Sequence, residues 1–200
     1  MLLFSEFNLT KNADGLLPVI VQDADTLRVL MLGYMNADAF ARTQETGLVT
    51  FWSRSRQTLR TKGETSNNYL HVVEMHADCD ADTLLVKARP DGPTCHRGTV
   101  ACWDTPAEDG FLGELQKCVQ QRHATMPLGS YTTYLFEKGL NRIAQKVGEE
   151  ATESVIEAVS GNRDKYIEEA SDLLYHLLVL NEQMGVTLAD LQRELVSRHK

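Results

Sequence analysis

The sequence predicts two domains, an α+β domain followed by an all-α domain. Runs rich in β-branched and apolar residues are confined to residues 16–103. The polar stretch of residues 104–110 contains Pro106 and Gly110 and separates the two halves. From Phe111 onward the pattern is helical and contains no convincing strand. We therefore place the domains at residues 1–106 and 107–200.

The first half is predicted to contain five strands and one short helix. The runs at residues 17–22 and 26–34 flank a turn rich in aspartate, which predicts a β-hairpin. Asn36 is typical of the residue that caps the start of a helix, and Gly47 of the residue that ends one. Further strands are predicted at residues 48–53, 69–75 and 83–88.

Residues 53–68 are predicted to form a phosphate-binding loop between two of these strands. The segment is rich in arginine, lysine, hydroxyl and amide side chains, whose donors match phosphate oxygens. An alternative is a solvated loop or edge strand on which the charges discourage aggregation. The candidate substrate-binding residues are Ser53, Arg54, Arg56, Lys62, Thr65, Ser66 and Asn68.

Aspartate alternates with other residues between Asp78 and Asp82. On an extended backbone, side chains two residues apart share one face, so the three aspartates would point together and Cys79 away from them. Carboxylates are the ligands that Mg²⁺ prefers. The alternation therefore predicts a magnesium site on Asp78, Asp80 and Asp82.

Three cysteines, Cys79, Cys95 and Cys102, lie in the same part of the chain. Three thiolates predict a zinc site with one open position, as in catalytic sites, whereas four would favour a closed structural site. The alternative is that they are reduced core residues. Because Cys79 is predicted to face away from the aspartates, its site is expected to be completed by cysteines of another strand or subunit. The sequence lacks the EF-hand, nucleobase-deaminase and Cys-x-x-Cys patterns.

The composition excludes some classes of partner. The 200-residue chain carries a formal net charge of −8, which is not typical of a general nucleic-acid or membrane-surface binder. It contains no apolar run of membrane-spanning length, and its N-terminal stretch lacks the basic region of a signal peptide. Four cysteines, three of them near other potential metal ligands, fit a reducing compartment better than a disulfide framework, so we expect a cytoplasmic protein.

The second half is predicted to form helices at residues 111–124, 131–160, 163–185 and 188–199. Two of these helices would form an antiparallel hairpin across Gly161, which brings four carboxylates level in two layers on a partly buried face. These are Glu150, Glu153, Glu169 and Asp172. Such carboxylates repel one another unless a cation joins them, which predicts a second Mg²⁺. The alternative is a solvated acidic face paired with Lys146, Arg142 and Lys165.

The motifs of both halves resemble known enzyme families. The first half resembles phosphoribosyl-AMP cyclohydrolase in FWSRSR (51–56), KGETSNN (62–68), DCDADTLL (78–85) and GPTCHRG (92–98). The second resembles phosphoribosyl-ATP pyrophosphohydrolase, an all-α enzyme related to the MazG-type nucleotide pyrophosphatases, in KVGEEATE (146–153) and EEASDLLYHLLVL (168–180). The order of the two halves is similar to that of the fused enzyme of histidine biosynthesis.

The resemblance implies a set of ligands and binding residues. It implies zinc on Cys79 of one subunit and on Cys95 and Cys102 of its partner in a homodimer. It also implies Mg²⁺ on the three aspartates and a second Mg²⁺ on Glu150, Glu153, Glu169 and Asp172. Lys146 is a further candidate for substrate binding. The chain departs from the family at Arg60, Asn67, Ala101 and Trp103, where Trp, Gly, Ser and Phe are usual.

The implied chemistry has two steps. The helical domain would cleave phosphoribosyl-ATP into phosphoribosyl-AMP and pyrophosphate, with Glu153 orienting the attacking water. The first domain would then open the adenine ring at N1–C6, giving the phosphoribosylformimino-AICAR ribonucleotide. Zinc would supply hydroxide, and His96 would be either a proton shuttle or a hydrogen-bonding group beside the zinc.

Two other functions are compatible with the same motifs. One is a general nucleotide-cleaning pyrophosphatase whose N-terminal domain recognises substrates. The other is a non-catalytic, zinc-stabilised dimerisation module joined to a helical adaptor. Zinc removal would distinguish the dimerisation module from an enzyme, because a domain that zinc stabilises unfolds without its metal.

Overall fold

The computed structural model describes residues 2–103 and 110–199, which form two units, Met1–Gly110 and Phe111–Lys200. The predicted boundary between residues 106 and 107 lies outside the described residues. The first unit combines strands with one α-helix, and the second is helical, so the predicted fold class is confirmed.

The first unit is built on a four-stranded sheet with the order β2-β1-β6-β5. Its strands are β1 (Leu17–Asp23), β2 (Val29–Met35), β5 (Leu70–Ala77) and β6 (Leu84–Pro90). The predicted hairpin is present, since β1 and β2 are antiparallel, whereas β1 and β6 run parallel. Alternate residues Leu17, Val19 and Val21 are fully buried, which places the core on one face of the sheet.

A helix and a second small sheet cover this core. Helix α1 (Ala37–Thr46) begins where the side chain of Asn36 accepts a hydrogen bond from the backbone of Ala39, as predicted. It ends at Gly47, whose φ of +70° few other residues adopt. Two short 3₁₀ turns, Phe4–Glu6 and Leu9–Lys11, precede β1. The rings of Phe4 and Phe7 pack against Phe40 of α1.

The segment at residues 53–68 is not a loop throughout, because it contains a strand, as the alternative of an edge strand allowed. The second sheet pairs β3 (Thr50–Ser53) with β4 (Thr58–Thr61), which lies inside that segment. The strand forms because Leu59 packs on the core while the hydroxyl of Thr61 lies 2.9 Å from that of Thr50. Strand β2 also begins later than predicted, because residues before Val29 form a turn in which Leu27 has a φ of +61°.

The described part of the second unit, residues 111–199, contains five helices, where four were predicted. They are α2 (Phe111–Thr125), α3 (Tyr131–Lys138), α4 (Leu140–Ser160), α5 (Arg163–Gln183) and α6 (Leu188–Arg198). The prediction of a single helix over residues 131–160 is wrong, because the helix is interrupted at Gly139. Its φ of 77° and ψ of −176° lie in a region that essentially only glycine occupies.

The longest helices, α4 and α5, form the predicted antiparallel hairpin across Gly161. The core of this unit contains Val119, Leu135, Phe136, Ile143 and Val179. Four apolar residues of this hairpin are exposed in the single chain, namely Val155, Ile156, Val159 and Leu174. No helix of residues 2–103 or 110–199 is long and apolar enough to cross a membrane.

Candidate functional site

The three aspartates of the first unit come together in a turn and not along a strand. Asp78 follows β5, and its Oδ1 accepts backbone hydrogen bonds from Asp82 (2.9 Å) and Thr83 (3.1 Å). Ala81 has a φ of +55°, which helps to reverse the chain. The extended alternation predicted here is therefore wrong. The turn nevertheless brings carboxylate oxygens of Asp78, Asp80 and Asp82 within 4.8 Å of one another.

A lysine from the N-terminal segment binds this turn. The ammonium of Lys11 contacts the carboxylate of Asp80 and lies 2.8 Å from Oδ2 of Asp82. The hydrogen bond from Lys11 lowers the pKa of Asp82, and the two aspartates raise the pKa of Lys11. Three carboxylates this close together are a donor set that fits Mg²⁺, and Lys11 compensates part of their negative charge. Nothing in the sequence pattern indicated this contact, because Lys11 is far from the turn along the chain.

Two of the three cysteines lie together. Cys95 is buried in a tight turn in which its N–H bonds the carbonyl of Thr99 and its carbonyl accepts from Gly98. A backbone N–H of Arg97, the Thr99 side chain and the Cys102 thiol contact the Cys95 sulfur and lower the pKa of its thiol. Partial desolvation, with a smaller contribution from Cys95, raises the pKa of the Cys102 thiol.

Cys79 does not form a group of three close ligands with this pair. It is exposed on the aspartate turn. Within residues 2–103 and 110–199, no group of three potential ligands includes a cysteine. A zinc site holding all three thiolates is therefore not assembled within this part of one chain, although the adjacent Cys95 and Cys102 are suitable zinc ligands.

An open pocket of about 510 Å³ lies beside the buried thiol. Its lining brings together several of the predicted residues, namely Lys62, Thr65, Ser66, Asn68, Cys95 and His96. Nδ1 of His96 is 3.9 Å from Sγ of Cys95. The amide of Asn68 donates to the carbonyl of Pro93, which ties the loop to the cysteine segment. The pocket therefore combines side chains that can donate hydrogen bonds to a phosphate with a thiol of lowered pKa.

Three predicted substrate-binding residues lie outside this lining. Ser53, Arg54 and Arg56 are not among the residues that form the pocket wall. The guanidinium of Arg54 stacks 3.8 Å from the ring centre of Tyr34 and lies 3.9 Å from a carboxylate oxygen of Asp14.

Two of the departures from the resembling family lie at or beside the pocket. Arg60 lines it and forms an ion pair of 2.6 Å with Glu64. Asn67 has a φ of +60°, a conformation in which glycine carries no steric cost and asparagine is the next best tolerated. The backbone of this loop is therefore compatible with either residue at position 67.

The helical unit contains a second acidic cluster. Helices α4 and α5 bring carboxylate oxygens of Glu150, Glu169 and Asp172 within 4.8 Å of one another, as helical spacing about Gly161 predicts. Glu153 is exposed and is not a member of this group. Desolvation raises the pKa of Glu169, and the charges of Glu153, Glu150 and Asp172 raise it further.

Glu150 is buried and has two basic neighbours. Its Oε1 lies 2.5 Å from Nζ of Lys146, and Nδ1 of His176 is 3.8 Å away. His176 is itself buried; its Nδ1 donates to the carbonyl of Asp172, and its Nε2 accepts from the hydroxyl of Tyr131. Sequence reasoning missed His176 and Tyr131. The helical spacing of His176 from Asp172 could have indicated the first of these contacts.

Comparisons with known proteins agree with this division. Residues 31–104 match the family model for phosphoribosyl-AMP cyclohydrolase, and residues 112–199 that for phosphoribosyl-ATP pyrophosphohydrolase. The chain is similar to proteins named histidine biosynthesis bifunctional protein HisIE. Identity is 55% with that of Bacteroides thetaiotaomicron, over 93% of both chains. It is 58% with that of Xylella fastidiosa, over 94% of this chain and 90% of the relative. Identity with the protein of Vibrio vulnificus is 50%, over 95% of this chain and 92% of the relative.

Proposed function

The chain belongs to the family of bifunctional histidine-biosynthesis proteins that join the two enzymes, and we propose which of its residues perform each reaction. It is an enzyme that hydrolyses phosphoribosyl-ATP to phosphoribosyl-AMP and pyrophosphate, then opens the adenine ring of phosphoribosyl-AMP. The resemblance drawn from its motifs is thereby confirmed.

The pyrophosphohydrolase reaction is proposed to take place at the acidic cluster of α4 and α5. Glu150, Glu169 and Asp172 would hold Mg²⁺, which when bound neutralises substrate phosphates. Glu153 lies outside the cluster, but its charge contributes to the raised pKa of Glu169, and we propose that it orients the attacking water or adds a ligand. Lys146, at the edge of the cluster, forms an ion pair with Glu150 and is a candidate phosphate contact.

The ring-opening reaction is proposed to take place at the pocket beside Cys95. Cys95 and Cys102, with Cys79, would hold zinc, which when bound makes water a nucleophile near neutral pH. Lys62, Thr65, Ser66 and Asn68 would bind the substrate phosphates from the pocket wall. His96 would move a proton or hold a hydrogen bond beside the zinc ligands. The aspartate turn would hold the Mg²⁺ of this unit.

We propose that the zinc site is shared between two copies of the chain. This accounts for two thiols in contact, Cys95 and Cys102, and an exposed Cys79 that does not complete a group of three close ligands with them in one chain. The working form would then be a homodimer. We also propose that the domains divide between residues 106 and 107 and that the protein works in the cytoplasm.

The observation that carries the assignment is that, among the residues that the structure describes, each unit contains one metal-compatible cluster, and each cluster lies within the span of a different hydrolase family. Incubation with phosphoribosyl-ATP, Mg²⁺ and Zn²⁺, with products identified by mass, tests it. Pyrophosphate and the ring-opened product should both appear, and omission of zinc should leave phosphoribosyl-AMP. Ring opening that proceeds equally well after zinc removal would contradict the proposed zinc site.

A further inference from the structure

The contact between Lys11 and the aspartate turn crosses a long stretch of sequence. The 3₁₀ turn Leu9–Lys11 places the ammonium against both Asp80 and Asp82. We propose that Lys11 sets the divalent-cation affinity of the aspartate turn by occupying it as an internal counter-ion that a metal must displace. This inference rests on the proposed magnesium site.

Lys11 and a divalent ion need the same oxygens. The ammonium is 2.8 Å from Oδ2 of Asp82 and also contacts Oδ2 of Asp80, whereas Oδ1 of Asp78 is engaged by backbone N–H groups. A divalent ion on these carboxylates would lie only a few ångströms from the ammonium. Two like-charged groups at that distance repel strongly, so Lys11 must leave before the ion binds fully.

The structure permits this displacement. The side chain of Lys11 is 54% exposed and that of Asp80 50%, so the ammonium can move into water. Exposed ion pairs are individually weak, and lysine has a long flexible stem. The competition therefore reduces the affinity for the metal without preventing binding.

Fastening the N-terminal segment does not require the lysine. The backbone N–H of Asn8 donates to the carbonyl of Ala81 at 2.7 Å, which joins the segment directly to the turn. Phe4 and Phe7 pack their rings against Phe40, with centroids 5.6 and 5.7 Å apart respectively. Replacing Lys11 should leave these contacts in place and change mainly the charge on the turn.

The test is a titration of the zinc-saturated, full-length protein with Mn²⁺, following free Mn²⁺ by electron paramagnetic resonance. Every sample carries Glu169→Gln and Asp172→Asn to silence the helical cluster. Lys11→Met should bind Mn²⁺ roughly tenfold more tightly than the parent, because the competing ion pairs are gone. Lys11→Arg keeps the positive charge and should stay within about threefold of the parent.

Lys87→Met is the matched control. It removes the same charge from the same unit, but Lys87 pairs with Glu74 and not with the turn. The affinity of the Lys87→Met protein for Mn²⁺ should match that of the parent. If Mn²⁺ binds more tightly to the same degree in the Lys11→Met and Lys87→Met proteins, or more tightly in neither, Lys11 does not set the affinity. Loss of Mn²⁺ binding in Asp82→Asn would show in that case that the metal site on the aspartate turn still exists. Absence of any Mn²⁺ binding, even in Lys11→Met, would overturn both the inference and the proposed site.

Discussion

The two acidic clusters differ in how their negative charge is compensated. On the exposed turn, Lys11 contacts two of the three aspartates and lowers the pKa of Asp82. On the helices, Lys146 contacts Glu150, but desolvation and neighbouring carboxylates raise the pKa of Glu169. The turn cluster is therefore partly neutralised by a lysine shared between two of its carboxylates, whereas Glu169 in the helical cluster retains repulsion that a divalent ion would relieve. Similar ligands can thus differ in their demand for metal.

The largest expected effect is the separation of the two activities. Glu169→Ala should lower hydrolysis of phosphoribosyl-ATP by about 100-fold or more, because loss of a direct ligand should exceed the usual loss for an outer contact. Ring opening of supplied phosphoribosyl-AMP should stay within about twofold of the wild type. Steady-state rates with each substrate measure this. The neighbouring, exposed Glu168→Ala serves as control, and an equal loss of both activities in folded Glu169→Ala would refute independent sites.

The converse change tests the other side of the comparison. Cys95→Ser should lower ring opening by about 100-fold or more and let phosphoribosyl-AMP accumulate from phosphoribosyl-ATP, because serine is a poor zinc ligand. Product ratios by mass and bound zinc per chain are the measurements. Cys118→Ser, in the helical unit, should alter neither. Retention of both zinc and ring opening in Cys95→Ser would exclude this thiol as a ligand.

Subunit exchange tests whether the first site needs two chains. Cys79→Ser and Cys102→Ser proteins should each fail to open the ring. After random exchange of equal amounts, about half of the dimers are mixed, and each mixed dimer has one intact site of two. Ring opening should therefore recover to roughly a quarter of the wild-type rate. Demonstrated exchange without any recovery would place all three ligands in one chain.

The smallest expected effect is on stability against pH without metal. Because the pKa of Glu169 is raised in the fold, its stabilising contribution is present at low pH and lost as pH rises through the folded value. The lowered pKa of Asp82 acts oppositely, since its contribution is lost as pH falls. With chelator present, Glu169→Gln should reduce the loss of stability of the helical unit as pH rises.

The measurement is thermal unfolding between about pH 4 and 8. Trp52 and Trp103 both belong to the first unit, so tryptophan fluorescence follows that unit, and circular dichroism at the helical band follows mainly the second. Glu168→Gln is the control. An unchanged pH profile in Glu169→Gln would show that repulsion at this carboxyl does not affect stability.

The sequence predicted the helical cluster better than the turn for a physical reason. Helical spacing is periodic, so residues equally distant from Gly161 come level once a hairpin is assumed. The aspartates come together through hydrogen bonds to Asp78 and the positive φ of Ala81, which no periodicity encodes. The break at Gly139 was missed because an isolated glycine is tolerated within a helical pattern.

Contacts made across long stretches of sequence were beyond such reasoning. Strand β4 depends on pairing with β3 and on a partly buried Leu59 within an otherwise polar segment. The position of Lys11 depends on the packing of the N-terminal segment. His176 was passed over because its contacts with Tyr131 and Glu150 join three separate helices.

The parallel pairing of β1 with β6 has a consequence for the order in which the chain folds. Val19 pairs with Leu84, so the centre of the sheet cannot close during synthesis until residues near 90 have left the ribosome. Helices α4 and α5, by contrast, meet across the short turn at Gly161. Local contacts form faster than distant ones because less chain entropy is lost in closing the loop. The second half of the chain, although synthesised last, is therefore expected to fold in the shorter time once it emerges.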